Sequence, residues 1–230
     1  MSKKLYAALL PLLAVSAFAM APAVAQAEPH WYSCHEVAAG TGKYTDPGCT
    51  KKVAGNFELT RLPFTSAKTP FIISGTVSLK NASTGELGPC RVSGAGNVWN
   101  VNLATSGKDE VEVFTLYGCG SAGCKKGLEW TSEGLPWPTE LAVVAGVIRD
   151  KIGTAAKPIM LRVKCGEPMS NLLFTGELTP RFVNYNSPSS LEFGEGAGEL
   201  TNSEIGAVIF TGKLKILGFE NQEQIQVFNP

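Results

Sequence analysis

Glu110-Val111-Glu112-Val113-Phe114-Thr115-Leu116-Tyr117 is the stretch whose reading decides the fold class. Polar and apolar side chains alternate along it, and a period of two places one row in water and the other in a core, as in a half-buried β-strand. Further short β-rich runs lie outward from it at residues 56–61, 71–80, 90–93, 98–104, 127–131, 140–149, 159–165, 172–179, 198–201, 207–217 and 224–228. Turn-forming clusters separate them, among them Asn81-Ala82-Ser83-Thr84-Gly85 and Ser106-Gly107-Lys108-Asp109. The one stretch of helical length, residues 141–152, carries the β-branched pairs Val143-Val144 and Val147-Ile148, which favour strand. With no alternation of strand and helix, the pattern predicts an all-β chain: an antiparallel sandwich or barrel of roughly ten strands with little helix.

A local pattern repeats within these runs. Ile73-Ser74-Gly75-Thr76-Val77, Phe174-Thr175-Gly176-Glu177-Leu178 and Phe210-Thr211-Gly212-Lys213-Leu214 each read apolar, Ser/Thr, Gly, any, apolar, and Val92-Ser93-Gly94 begins a fourth copy. Glycine in mid-strand weakens the strand, so its repeated use predicts bulges, bends or close backbone approach where strands coil around a closed architecture. Residues 179–198 are rich in Pro, Ser, Asn and Gly and read as a long loop or as a boundary between the main body and a C-terminal hairpin.

The N-terminus reads as an export leader. Lys3 and Lys4 precede an uncharged apolar run, which closes on Ala25-Gln26-Ala27, the small-x-small pattern of a signal-peptidase site. Residues 1–27 are therefore expected to be a signal peptide, residues 28–55 an N-terminal disulfide-loop segment, and residues 56–230 the main β domain. Cleavage removes two of the 20 basic side chains and none of the 20 acidic ones, leaving a net charge of −2. Such a balance provides no basic footprint for nucleic acid. The mature chain also has no second apolar run long enough to span a membrane.

All six cysteines, Cys34, Cys49, Cys90, Cys119, Cys124 and Cys165, follow the cleavage site. An even count in an exported chain predicts three disulfides. Six cysteines allow 15 pairings, and proximity in sequence favours Cys34–Cys49 and Cys119–Cys124, leaving Cys90–Cys165. On the chain-entropy account the first would stabilise by about 3 kcal/mol and the longest by about 4.5 kcal/mol. A zinc site from Cys119, Cys124, His30 and His35 is disfavoured, because there is no C-x2-C pair and export favours oxidation. No metal and no cofactor is expected.

The block Cys34-x-Glu36-Val37-Ala38-x-Gly40-Thr41-Gly42-x-Tyr44-x-Asp46-x-x-Cys49 resembles the N-terminal part of secreted cysteine-containing β proteins of high-GC actinobacteria. So do Cys90-x-Val92-Ser93-Gly94, the series from Phe114 through Gly118-Cys119 to Cys124, and the apolar run Ile159–Cys165. The resemblance implies an exported β protein with paired cysteines. It has no established activity, and so no catalytic residues, to carry over.

The residues themselves point to no reaction. There is no G-x-S-x-G nucleophile elbow. The two histidines, His30 and His35, sit near the mature N-terminus and read as solvated side chains in a fraying segment. Glu110 and Glu112, and Glu129, Glu133 and Glu140 near two tryptophans, are the carboxylates that glycoside hydrolysis would draw on, but acids on one strand face normally form its wet side. Trp130 and Trp137, in a loop-like stretch, are the candidate ligand-binding residues, as flat indoles for stacking on sugar rings; the alternative for both is core packing. The expected function is a secreted or envelope-associated protein with a non-catalytic structural or binding role, its partner a surface glycan or an envelope protein. A glycan-binding module using exposed tryptophan and a secreted hydrolase of glycans or esters are the alternatives.

Overall fold

The computed structural model describes residues 28–65, 67–81, 85–120, 128–165, 171–184, 188–219 and 223–228. The expected leader, residues 1–27, and Cys124 lie outside the described residues. Fifteen strands follow one another without a helix among them: β1 (His30–Glu36), β2 (Phe57–Arg61), β3 (Thr69–Asn81), β4 (Gly85–Trp99), β5 (Lys108–Tyr117), β6 (Leu128–Glu133), β7 (Trp137–Val144), β8 (Val147–Ile152), β9 (Ile159–Cys165), β10 (Leu172–Gly176), β11 (Arg181–Val183), β12 (Ser189–Phe193), β13 (Glu199–Asn202), β14 (Gly206–Gly218) and β15 (Gln224–Phe228). The all-β class is as the alternation predicts, and the architecture is a barrel.

Eight strands close it, in the order β3-β4-β5-β7-β8-β11-β12-β14 and back to β3, every pairing antiparallel. Closure leaves no exposed sheet edge in the ring. A wing of four more strands, β13-β10-β9-β6, grows from the first half of β14. Strand β14 serves both parts: residues 206–209 pair with β13, and residues 212–216 pair with β12. Strand β14 thus runs through both parts, and one core cluster joins them, from Phe71 and Leu214 to Trp130 and Val163.

The repeated glycines stand where strands press together. A Cβ on Gly75 would strike the carbonyl oxygen of Lys213, and one on Gly212 would strike that of Thr76, so β3 and β14 approach each other at both positions. Gly212 also has φ +133°, open to few other residues, at the point where β14 takes β12 as a partner. Gly94 and Gly176 likewise meet a neighbouring backbone oxygen, from Val113 and Glu199.

Several boundaries differ from the sequence reading. The alternation in β5 changes phase at a bulge: Gly96 pairs with Val111 and Ala95 with Val113, so Glu112 is the extra residue. Val111 and Leu116 consequently point inward while Val113 is exposed. The expected single strand 140–149 is the hairpin β7–β8, reversed at Ala145 and Gly146, both with positive φ. The expected loop 179–198 contains β11 and β12, which close the barrel.

A second sheet, β15-β1-β2, joins the first and last of the described strands. Its Trp31 is fully buried, edge-on to Phe182 of the barrel at 5.4 Å. Asn100 fixes the sheet in place: its Oδ1 accepts from Trp31 N at 2.9 Å, and its Nδ2 donates to Trp31 O at 3.0 Å and to Leu62 O at 2.9 Å. Residues 28–55 therefore contribute a core strand before entering the disulfide loop. Within that loop, Asp46 accepts hydrogen bonds from Thr50 N (3.0 Å), Thr50 Oγ1 (3.0 Å) and Lys51 N (2.6 Å).

Two disulfides brace these parts. Cys34–Cys49 is as expected. Cys90 bonds to Cys119, which corrects the expected Cys90–Cys165 and Cys119–Cys124 pairs. The physical reason is the β4–β5 ladder: Arg91 pairs with Tyr117, so Cys90 lies beside the end of β5 and meets Cys119 there. Such bridges belong to a non-reducing environment.

Candidate functional site

A groove of about 580 Å³ is lined by residues of β5, β7 and β8, the turn after β8, and Glu177, a volume within the range of ligand sites. Cross-strand pairing builds a charged row along it. Lys108 pairs with Glu140, and Glu140 with Lys151, so basic and acidic side chains alternate across β5, β7 and β8. Lys108 Nζ and Glu140 Oε1 form an ion pair.

Trp99 lines one side of the groove and is half-buried. Lys68 Nζ lies 5.0 Å from the centre of its ring and 2.5 Å from Glu110 Oε1. Asn97 Nδ2 donates to the same oxygen at 3.2 Å. The other side is the tight turn at Thr154, where Lys157 N donates to Thr154 O γ1 at 3.0 Å. The arrangement offers one aromatic face and several hydrogen-bonding groups, with acidic side chains outnumbering the two lysines of the lining.

Beneath this row, Asp109, Thr139 and Asp150 point into the barrel wall, with exposures of 3 %, 5 % and 2 %. Asp109 and Thr139 are direct cross-strand partners, while Asp150 pairs with Leu141 and so lies diagonally from Thr139. Burial pushes the Asp150 carboxyl up to about 7, with a smaller opposing effect from the Thr139 hydroxyl. Burial, and then the negative charge of Asp150, push Asp109 well above the usual carboxylate range; Thr139 opposes this and Glu110 adds to it. The Thr139 hydroxyl is near enough to influence both carboxyls, yet Thr139 Oγ1, Asp109 Oδ1 and Asp150 Oδ1 have no hydrogen-bond partner of proper geometry. Both aspartates also line an apolar internal cavity of about 30 Å³, and Asp109 alone lines both cavity and groove.

The residues singled out from sequence are placed elsewhere. Trp130 is 7 % exposed and packs near Phe174, with ring centres 6.1 Å apart. Trp137 is 2 % exposed, packs on Phe114 at 5.5 Å, and donates Nε1–H to Glu133 O at 2.9 Å. The expected solvent-facing platform is therefore not formed by these two; their indoles fill the core. His30 is fully buried rather than solvated, with Nε2 3.0 Å from Asn102 O and its ring edge-on to Phe64. Cys119 is consumed by its disulfide and is no zinc ligand.

Among the expected acids, Glu110 and Glu140 face lysines, and Glu133 accepts a two-pronged contact from Arg162, which holds its carboxyl below the ordinary range. Glu112 and Glu129 are exposed. Among the described residues no three His, Cys, Asp or Glu side chains gather as a metal-binding group. Sequence reasoning missed Asp109, Asp150 and Trp99. An acid at the inward phase of a strand was the available signal for Asp109, since it shares that phase with Val111. The chain matches no family model, no curated protein and no solved structure.

Proposed function

We propose that this is an exported protein of the cell surface or extracellular space with a non-catalytic binding role, holding a surface glycan in the groove beside Trp99. The observation that carries the reading is the pairing of a half-buried indole with a hydrogen-bonding groove of ligand size. A sugar presents an apolar ring face and a rim of hydroxyls, which suits an aromatic face flanked by fixed polar groups. Glu110 and Glu140 are held by lysines, which fixes them as orienting groups along the groove. The export component rests on the leader-like residues 1–27 and on the two disulfides.

The test is a glycan microarray with the mature protein and its Trp99→Ala variant, the Trp130→Phe variant serving as a core control. Binding should fall about tenfold in Trp99→Ala, the equivalent of roughly 1.4 kcal/mol, and persist in the control. Absence of any bound glycan, or equal binding after Trp99 is removed, would overturn the reading.

A further inference from the structure

The barrel closes on its shortest ladder. Strands β8 and β11 share one cross-strand pair, Arg149 opposite Arg181, whereas β7 and β8 share six. Beyond that pair, Asp150 N donates to Pro180 O at 3.0 Å, and Ile152 and Leu178 exchange backbone bonds of 2.7 and 3.0 Å. Like charges opposite each other weaken a ladder, so this seam is where the ring parts most readily. Asp150 stands in it, beside Arg149 in sequence but turned inward and 2 % exposed. Among the residues lining the internal cavity, Asp109 and Asp150 alone are titratable, and the rest are aliphatic or aromatic. One carboxyl oxygen of each, Oδ1, is buried without a hydrogen-bond partner. The residues opposite them are uncharged: Val98 and Thr139 beside Asp109, and Leu141 beside Asp150. The charged groups of the surrounding strands lie on the outer face, Lys108 and Glu110 on β5, Glu140 on β7, Arg149 and Lys151 on β8, and Arg181 on β11. No described lysine, arginine or histidine pairs with either aspartate.

We propose that Asp150, with Asp109 behind it, is a proton-operated latch on the β8–β11 seam: the neutral acids keep the barrel closed, and ionisation favours a state in which the seam parts and the apolar cavity meets water. A neutral carboxyl tolerates a dry apolar lining, whereas a carboxylate there has neither water nor counter-charge. Parting the seam gives Asp150 both, since Arg149 and Arg181 flank the opening. The neighbouring ladders hold, because β5–β7 has four pairs and the Lys108–Glu140 ion pair, and β7–β8 has six. Asp150, held up to about 7 by burial, ionises first, since its charge is among the causes that raise Asp109. An opened Asp150 has an ordinary carboxyl, so the opening equilibrium grows about tenfold per pH unit from about pH 4 to about pH 7 and then levels off. The latch stands whether or not the groove holds a glycan.

The experiment is amide hydrogen exchange on the full mature protein at pH 5.0, 6.0 and 7.5, read as protection factors so that the intrinsic pH dependence of exchange cancels. The seam amides of Ile152 and Leu178 are compared with those of β3 and β14. Protection at Ile152 and Leu178 should fall roughly fifty- to hundredfold between pH 5.0 and 7.5, and at pH 7.5 should lie at least tenfold below that of the β3 and β14 amides. In Asp150→Asn, which keeps the shape and cannot ionise, the seam amides should stay protected at pH 7.5. Infrared spectra of the unaltered protein keep the test decisive if that variant misfolds: a protonated-carboxyl band present at pH 5.0 should fade in step with the loss of seam protection. Seam amides that match those of β3 and β14 at every pH would overturn the proposal, because the barrel would then open only by unfolding as a whole. So would the absence of a protonated-carboxyl band at pH 5.0, or an unchanged seam response in a folded Asp150→Asn protein.

Discussion

Gly75 on β3 and Gly212 on β14 lie against each other's strands: a Cβ on either would collide with a backbone oxygen of the other strand, Lys213 O or Thr76 O. The two residues belong to separate copies of one short sequence pattern, and the ladder brings the copies together, with Leu214 opposite Gly75 and Gly212 opposite Val77. This close approach in the barrel wall is thus written twice in the chain.

Alanine at either position should force these strands apart. Gly75→Ala and Gly212→Ala are expected to cost about 2–4 kcal/mol each, Gly212→Ala the more because its φ of +133° adds backbone strain. Gly194→Ala, where a Cβ meets nothing within 4 Å, should change stability little. Urea unfolding of the three variants checks the ranking.

Asn100 joins the terminal sheet to the barrel through three buried hydrogen bonds. Asn100→Ala would leave the Trp31 amide and the Leu62 carbonyl without their Asn100 bonds, while Trp31 O keeps the bond from Leu62 N, a loss of roughly 2–3 kcal/mol. Hydrogen exchange should show accelerated exchange at Trp31 and neighbouring β1 amides while the barrel amides of β3 and β14 stay protected. Equal loss of protection everywhere would contradict a local role for Asn100.

Asp109 and Asp150 set the pH dependence. Their folded pKa values lie above those of the unfolded chain, Asp150 at about 7. Between about pH 4 and pH 7 the folded protein therefore holds more protons than the unfolded one, and stability falls as pH rises, by about 4 kcal/mol from Asp150 alone. Asp46 acts in the opposite sense at lower pH. Burial raises its pKa, but bonds from Thr50, Lys51 and Gly48 outweigh this and hold it below the ordinary range. Its contribution is present above the unfolded value of about 3.9 and is lost as pH falls below that. Denaturant midpoints measured from pH 3 to 8 should pass through a maximum near pH 4–5, and Asp150→Asn should flatten the upper limb.

The β class was legible because alternation and turn residues report burial locally, and the repeated glycines announced close approach before any partner was known. What escaped was set by pairing. Val113 and Phe114 are adjacent apolar residues whose change of phase becomes a bulge only opposite Ala95 and Gly96. Cys90 finds Cys119 because β4 lies beside β5, although Cys124 is nearer to Cys119 in sequence. Asp109 and Asp150 are 41 positions apart in the chain, and only the β5-β7-β8 order brings them to one wall. Trp130 and Trp137 looked loop-like because of the Gly134 and Pro136 between them, yet the strands on either side turn both indoles inward.

A barrel braced by oxidised cysteines and working outside the cytosol is most directly tested by mass spectrometry of the protein recovered from culture medium or envelope, digested without reduction. The account predicts a chain beginning at Glu28 and linked peptides for Cys34–Cys49 and Cys90–Cys119. Recovery of the chain in the cytosol with residues 1–27 attached and all six thiols free would contradict it.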